Sequence, residues 1–254
     1  MRKQYIKMLI GLFLFIFLNV AMLYNAHGQV LISLLLGDKL NSDQIEFGLE
    51  GGMNRSYLTA IEESKGMNNF DLGFYFHINL KNSTYFSTGV LVKNSVGAGN
   101  INPYLTGDNN LDSIFEGGTI QRKINYFYVP FMLHQRFNNR IYLEGGFQLG
   151  LRSKAKDIFK NDILGNEITY TIENGDLFKR IDGGVIGGVG YKFKQQVKSL
   201  SAGVKYYYGL WSIYKEGNSD VKNSAFFFFV KLPIGAGKAS ENKQQKSETD
   251  TQKN

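Results

Sequence analysis

Along most of the chain apolar residues recur at every second position, the period of a strand whose two faces meet different surroundings. Between Ile45 and Asn54, one face carries Ile45, Phe47, Leu49, Gly51 and Met53, and the other Glu46, Gly48, Glu50, Gly52 and Asn54. A second segment sets Leu72, Phe74, Phe76, Ile78 and Leu80 against Gly73, Tyr75, His77 and Asn79. In a third, Phe86, Thr88, Val90 and Val92 oppose Tyr85, Ser87, Gly89 and Lys93. A fourth, about Thr119 to Phe137, sets Phe127, Val129, Phe131, Leu133 and Phe137 against Tyr126, Tyr128, Pro130, Met132, His134 and Arg136, and Pro130, which cannot donate to a ladder, predicts a bulge or break.

The fifth segment alternates longest, with Ile141, Leu143, Gly145, Phe147, Leu149 and Leu151 on one side and Tyr142, Glu144, Gly146, Gln148, Gly150 and Arg152 on the other. In the sixth, Ile181, Gly183, Val185, Gly187, Val189, Tyr191 and Phe193 oppose Asp182, Gly184, Ile186, Gly188, Gly190 and Lys192. The seventh pairs Leu200, Ala202, Val204, Tyr206 and Tyr208 with Ser201, Gly203, Lys205 and Tyr207, and the eighth Phe226, Phe228, Val230 and Leu232 with Phe227, Phe229 and Lys231. Segments of this kind, apolar outward and polar inward, predict an all-β fold, an eight-stranded antiparallel transmembrane β-barrel. A soluble secreted ligand-binding barrel would require the reverse, an apolar interior and a polar exterior.

Long connections, about Arg55 to Asp71, Gly97 to Gly118, Ser153 to Arg180 and Trp211 to Ser224, alternate with short ones near Lys81 to Ser83, Asn138-Asn139 and Lys194 to Lys198. Membrane barrels place long loops outside the cell and short turns in the periplasm, so both termini are expected in the periplasm. Paired residues must share a face, which makes turn length a matter of parity. A three-residue turn at Lys81 to Ser83 pairs Leu80 with Thr84, whereas a two-residue Asn138-Asn139 turn would set His134 opposite the outward Leu143; a wider turn or a bulge is expected there.

The start of the chain changes the charge picture. Arg2, Lys3 and Lys7 precede an apolar run from Met8 to Leu18, and Ala26-His27-Gly28 places small residues before a cut ahead of Gln29, which reads as a signal peptide over 1–28. An uncleaved anchor is the rival, because the apolar stretch reaches Tyr24. The leader holds three of the cations behind the formal charge of +7, leaving +4 for the mature chain and little compositional support for nucleic-acid binding. Absence of cysteine removes disulfides, thiol catalysis, thiolate metal sites and lipoprotein acylation. Residues 29–44, with the run Val30 to Leu36, form an N-terminal periplasmic segment, 45–235 the barrel, and 236–254 a polar, aromatic-free tail expected to be disordered.

The inward set gathers Glu46, Glu50, Glu144 and Asp182 with Lys93, Arg136, Arg152, Lys192, Lys205 and Lys231. In so narrow a barrel these charges predict a structural ion network rather than an open channel. Glu50-Gly51-Gly52, Glu144-Gly145-Gly146 and Asp182-Gly183-Gly184 repeat an acid before paired glycines; with no helix after Gly188-Val189-Gly190, these glycines read as room for neighbouring side chains, not as a phosphate loop. Glu50 and Glu144 could form a carboxylate pair, though their spacing does not show that they meet. His77 and Ser87 would be inward cross-strand partners, but no nucleophile-elbow motif flanks Ser87, and a lone His134 makes no metal site. No catalytic, cofactor-binding or metal residue is therefore assigned, and no cofactor. Aromatic residues at segment ends read as interfacial girdles. Those in the long loops, Tyr57, Tyr104, Phe115, Tyr170 and Phe178, could instead form a stacking surface.

The chain resembles the PorT-like outer-membrane β-barrel family of Bacteroidetes-type bacteria. The residues that carry the resemblance are Ile32 to Leu40 leading to Glu46-Phe47-Gly48-Leu49-Glu50-Gly51-Gly52, then Tyr126 to Leu133 with Pro130, and Gly187 to Phe193. It spans about Val30 to Gly235, implies an outer-membrane location and an eight-stranded barrel, and links the family by name to protein secretion. The resulting expectation is a non-enzymatic envelope scaffold or loop-presenting protein. Its partners would be outer-membrane lipid, the barrel-assembly machinery and envelope or secretion proteins, with no nucleic acid. The alternative is a lipid-active enzyme or narrow pore.

Overall fold

The computed structural model describes residues 44–137, 140–195, 198–216 and 220–234. The expected signal peptide, all but the last residue of the 29–44 segment, the Asn138-Asn139 pair and the polar tail lie outside the described residues.

The alternating segments form antiparallel strands: β1 Ile45–Leu58, β2 Lys65–Lys81, β3 Thr84–Lys93, β4 Ser95–Ile101, β5 Thr119–Phe137, β6 Ile141–Ile163, β7 Asn166–Glu173, β8 Ile181–Lys192, β9 Ser201–Gly209 and β10 Asn223–Pro233. β3 and β4 are successive parts of one staggered strand, each lying between β2 and β5. β7 stands outside the ring as a hairpin partner of β6. The remaining strands close on themselves in the order β1, β2, β3/β4, β5, β6, β8, β9, β10, with β10 returning to β1 from Gly48↔Pro233 to Leu58↔Asn223. That is the expected ring of eight. A short helix, α1 Asn109–Phe115, sits between β4 and β5, its first N–H groups capped by Asp108. No helix among the described residues is long and apolar enough to cross a membrane.

Side-chain facing follows the sequence pattern. On β6, Phe147 is 62% exposed and its neighbour Gln148 only 1%. Leu143, Leu149, Leu151, Val185, Val189, Val204, Phe226, Phe228 and Val230 share the outward exposure, while Glu50, His77, Glu144, Lys205 and Lys231 are buried inside. An apolar exterior around a charged interior rules out the soluble-barrel arrangement. Phe47 differs: it belongs to the outward set, yet it is buried with its ring 4.9 Å from that of Phe76.

Four local expectations can be compared with the ladder. Phe137 pairs with Ile141, so the Asn138 turn is indeed wider than two residues, and His134 meets Glu144 rather than Leu143. Pro130 interrupts pairing only on its β3 side, where the ladder skips from Thr88↔Phe131 to Leu91↔Tyr128; toward β6 it stays in register with Gln148. The Lys81 to Ser83 turn is tighter than expected, because Lys81 pairs with Thr84 and a bulge at Leu80 absorbs the parity, with Asn82 in the left-handed region at φ 52°. Lys93 does not face inward. A register shift between Leu72 and Gly73 leaves Val92 as an extra residue, so Lys93 turns outward and lies 5.4 Å over the Phe70 ring.

The long connections are also more ordered than their lack of alternation implied. β1, β2, β4 and β6 continue into them, β6 to Ile163, because Val96, Ala98, Ile101, Phe115, Ile120, Ile124 and Phe159 bury against one another in an apolar core. The inward glycines have a packing role. A Cβ at Gly190 would stand 2.1 Å from the Tyr142 ring and one at Gly150 2.5 Å from Tyr128, so the bare backbone is what lets these tyrosines lie flat across the lumen.

Candidate functional site

Inward positions near the short turns bring together side chains from strands far apart in sequence. Lys231 on β10 reaches Glu144 on β6 at 2.9 Å and Glu50 on β1 at 3.8 Å. Lys205 on β9 pairs closely with Glu50 and lies 4.0 Å from Glu144. Glu46 accepts from Lys192 at 3.4 Å and from the Tyr75 hydroxyl at 2.8 Å. Arg136 donates to the Tyr85 hydroxyl at 2.9 Å. Glu50 and Glu144 therefore do meet, sharing two lysines rather than a proton. Every one of these groups is buried, and such charges are tolerable in a low-dielectric interior only when paired this closely.

The histidines belong to the same network. His77 and Ser87 are cross-strand partners as expected, but the His77 imidazole does not address the hydroxyl: Nδ1 is 3.6 Å from Glu46 and Nε2 is 3.4 Å from Lys231. His134 is not lone. Its ring lies 4.5 Å from that of His77 and stacks at 4.2 Å on Tyr142, and Nδ1 is 3.3 Å from Glu144. Donor atoms of His77, His134 and Glu144 lie within 4.8 Å of one another, a spacing that a divalent cation could use. Lys231 already contacts both His77 and Glu144, so its ammonium supplies the positive charge there. The separation of His77 from His134 in sequence, with pairing through β3, is why their meeting is not visible from spacing alone.

Above this layer the lumen stays filled. The Tyr128 hydroxyl and the Asn223 amide donate to Asp182 at 2.8 and 2.9 Å, and Asn54 donates to Asp71 at 2.7 Å. A void beside Pro130, bordered by Glu50, Tyr75, Ser87, Gln148 and Lys205, holds about 10 Å³, at the lower limit for one water. At the long-loop end Arg122 grips Asp157 through two bonds of 2.8 and 2.6 Å and lies over the rings of Phe178 and Tyr214, which stack at 5.2 Å. Loop residues join this cap. Partial burial and the neighbouring Asp157 carboxylate raise the Tyr104 phenol, while the Thr106 backbone N–H and hydroxyl, both donating at 2.7 Å, hold the Asp112 carboxyl below its usual range. Of the loop aromatics, Phe115 and Phe178 are buried in the cap, and Tyr104 and Tyr170 stay exposed. Purified protein in planar bilayers should accordingly show no steady single-channel conductance; a stable ohmic current would mean that the network opens.

The outer membrane protein beta-barrel domain model matches residues 39–215. The chain belongs to that family. Membership in the outer membrane β-barrel family locates the apolar exterior in the outer membrane, and β10, which lies beyond the matched stretch, is the strand that completes the ring. Similar solved structures include the attachment invasion locus protein Ail of Yersinia pestis, at 13% identity and TM-score 0.40, covering 75% of this chain and 99% of that one. Neisserial surface protein A is similar at 14% identity and TM-score 0.40, covering 74% and 97%. The N-terminal β-barrel domain of Pseudomonas aeruginosa OprF stands at 10% identity and TM-score 0.26, covering 74% and 100%. A search of curated protein sequences finds no match.

Proposed function

We propose that this outer-membrane barrel is a non-enzymatic envelope protein whose ordered cap, carried outside the cell on extended strands, serves as an interaction surface. The observation behind this reading is the use of the interior chemistry. Its acids, lysines and histidines are bound to one another, and the serine beside His77 lacks an imidazole turned toward it. A lipid hydrolase needs a nucleophile and base in mutual reach and open to an acyl chain, and a pore needs a free lumen. The cap, in contrast, offers exposed Tyr104, Leu105, Leu164 and Tyr170, and two clefts of about 570 and 430 Å³. The PorT-like resemblance adds protein secretion as the process in which such a surface would work, with envelope or secretion proteins as partners.

Orientation is the first test. Cysteine placed at Asn109 on α1 should react with an impermeant reagent on whole cells, and cysteine at Asn82, in the β2–β3 turn, only after the outer membrane is permeabilised. The opposite pattern inverts the protein. For the secretion link, cells lacking the gene should release less protein to the medium, and replacement of residues 161–168 by a short turn should reproduce that loss while the barrel still assembles. Undiminished release in the deletion strain removes secretion from the reading.

A further inference from the structure

On the outside of β2, β3, β5 and β6 the apolar surface ends abruptly in cations. Phe70, Phe127 and Leu151 are exposed outward residues, and the next outward positions toward the long-loop end of β5 and β6 are Asn125 and Lys123, and Lys154 and Lys156. The change coincides with a bulge: Tyr126 pairs with Arg152 and Asn125 with Lys154, so Ser153 is extra. Arg122 and Asp157, the inward neighbours of Lys123 and Lys156, face each other inside, which fixes the two lysines on the exterior. They are direct cross-strand partners, an arrangement that repels. Lys93, turned outward by its own bulge, adds a third charge that acts on Lys123. Glu173 pairs in register with Lys156 from β7, but among the described residues no carboxylate lies within ion-pair distance of Lys123, Lys154 or Lys156.

We propose that this cluster is a binding site for the phosphate of an anionic glycolipid in the outer leaflet. Lys93, Lys123 and Lys156 hold the headgroup while the acyl chains lie on Phe70, Phe127 and Leu151. Charge complementarity selects the headgroup, and continuity with the apolar belt selects a lipid over a soluble anion: the cations stand at the height where hydrocarbon gives way to phosphate. Lys93 holds its ammonium over the Phe70 ring, 5.4 Å from the centroid, so cation and apolar belt meet directly at this height. The leaflet assignment rests on the cap facing outside; the binding itself does not, so the labelling experiment and a binding experiment fail independently.

The test uses the full chain folded in neutral detergent, with folding confirmed by its heat-modifiable gel migration, and native mass spectrometry to count retained lipid. A diphosphorylated diglucosamine lipid, its dephosphorylated counterpart and inorganic phosphate are the probes. Wild type should retain the phosphorylated lipid at least about tenfold better than Lys123→Gln/Lys156→Gln, and Lys123→Arg/Lys156→Arg should retain it as wild type does. Equal retention by wild type and the glutamine variant overturns the site. Equal retention of the dephosphorylated lipid assigns binding to the apolar belt alone, and inorganic phosphate that competes at equal concentration makes the ligand a free anion; either result overturns the proposal. If the glutamine variant fails to fold, Lys93→Gln/Lys156→Gln carries the same comparison.

Discussion

Replacing Glu144 with alanine is expected to cost about 3 to 5 kcal/mol of folding free energy, measured by urea-dependent folding into phosphatidylcholine vesicles. Glu144 accepts from Lys231 and lies against Lys205 and His134, so its removal leaves Glu50 as the near carboxylate for two buried ammonium groups. Much of the loss should come from stranded positive charge rather than from the missing side chain. Glu144→Ala combined with Lys231→Met should therefore recover at least half of it, since the second change removes one of the uncompensated ions. A single variant within about 1 kcal/mol of wild type would mean that water, not Glu144, neutralises the lysines.

Phe147→Arg is the second large effect, about 2 to 4 kcal/mol against insertion, because Phe147 stands at mid-belt between Ile141 and Leu151 and pairs with the outward Phe131 and Val185. The adjacent Gln148→Leu should be close to neutral: its side chain is inside, and its amide nitrogen finds no hydrogen-bond partner to lose. Vesicle-folding titrations of both variants separate the faces. An arginine tolerated at 147 with leucine rejected at 148 would reverse the assignment of outside and inside.

The facing of side chains was legible because a strand buried against hydrocarbon on one side and polar groups on the other must alternate, as β6 does from Ile141 to Arg152, ahead of its bulge at Ser153. Parity was equally readable at Asn138, where the need to keep His134 away from Leu143 demanded the wider turn that the Phe137↔Ile141 pair displays. Parity misled where a bulge intervened. One extra residue at Val92 sends Lys93 to the exterior, and one at Leu80 shortens the neighbouring turn, and neither extra residue is a glycine or proline that would announce it. The apolar cap was missed for a related reason: Ile120, Ile124 and Phe159 lie inward on strands whose lower halves are polar inward, so the pattern changes meaning partway along β5 and β6. The meeting of His77, His134, Glu144 and Lys231 needs three dimensions, since it is assembled across strands β2, β5, β6 and β10.

The pairing of β1 with β10 joins the first strand to the last, and Glu50 stands in register with Lys231 across that seam. Acids of the seam layer come early in the chain, at Glu46, Glu50 and Glu144, and its lysines late, at Lys192, Lys205 and Lys231. In each of these pairs the acid precedes its lysine in the chain, so Glu46, Glu50 and Glu144 have no lysine partner here until the later strand has emerged. Contacts this distant in sequence make closure slow, which favours an unfolded, transport-competent chain before insertion. When the ends finally meet, a slip of one residue would turn Lys231 toward lipid, and a slip of two would set it opposite Gly48 or Gly52. The ion pair acts as a key for the last step of assembly, admitting one alignment of the closing strands.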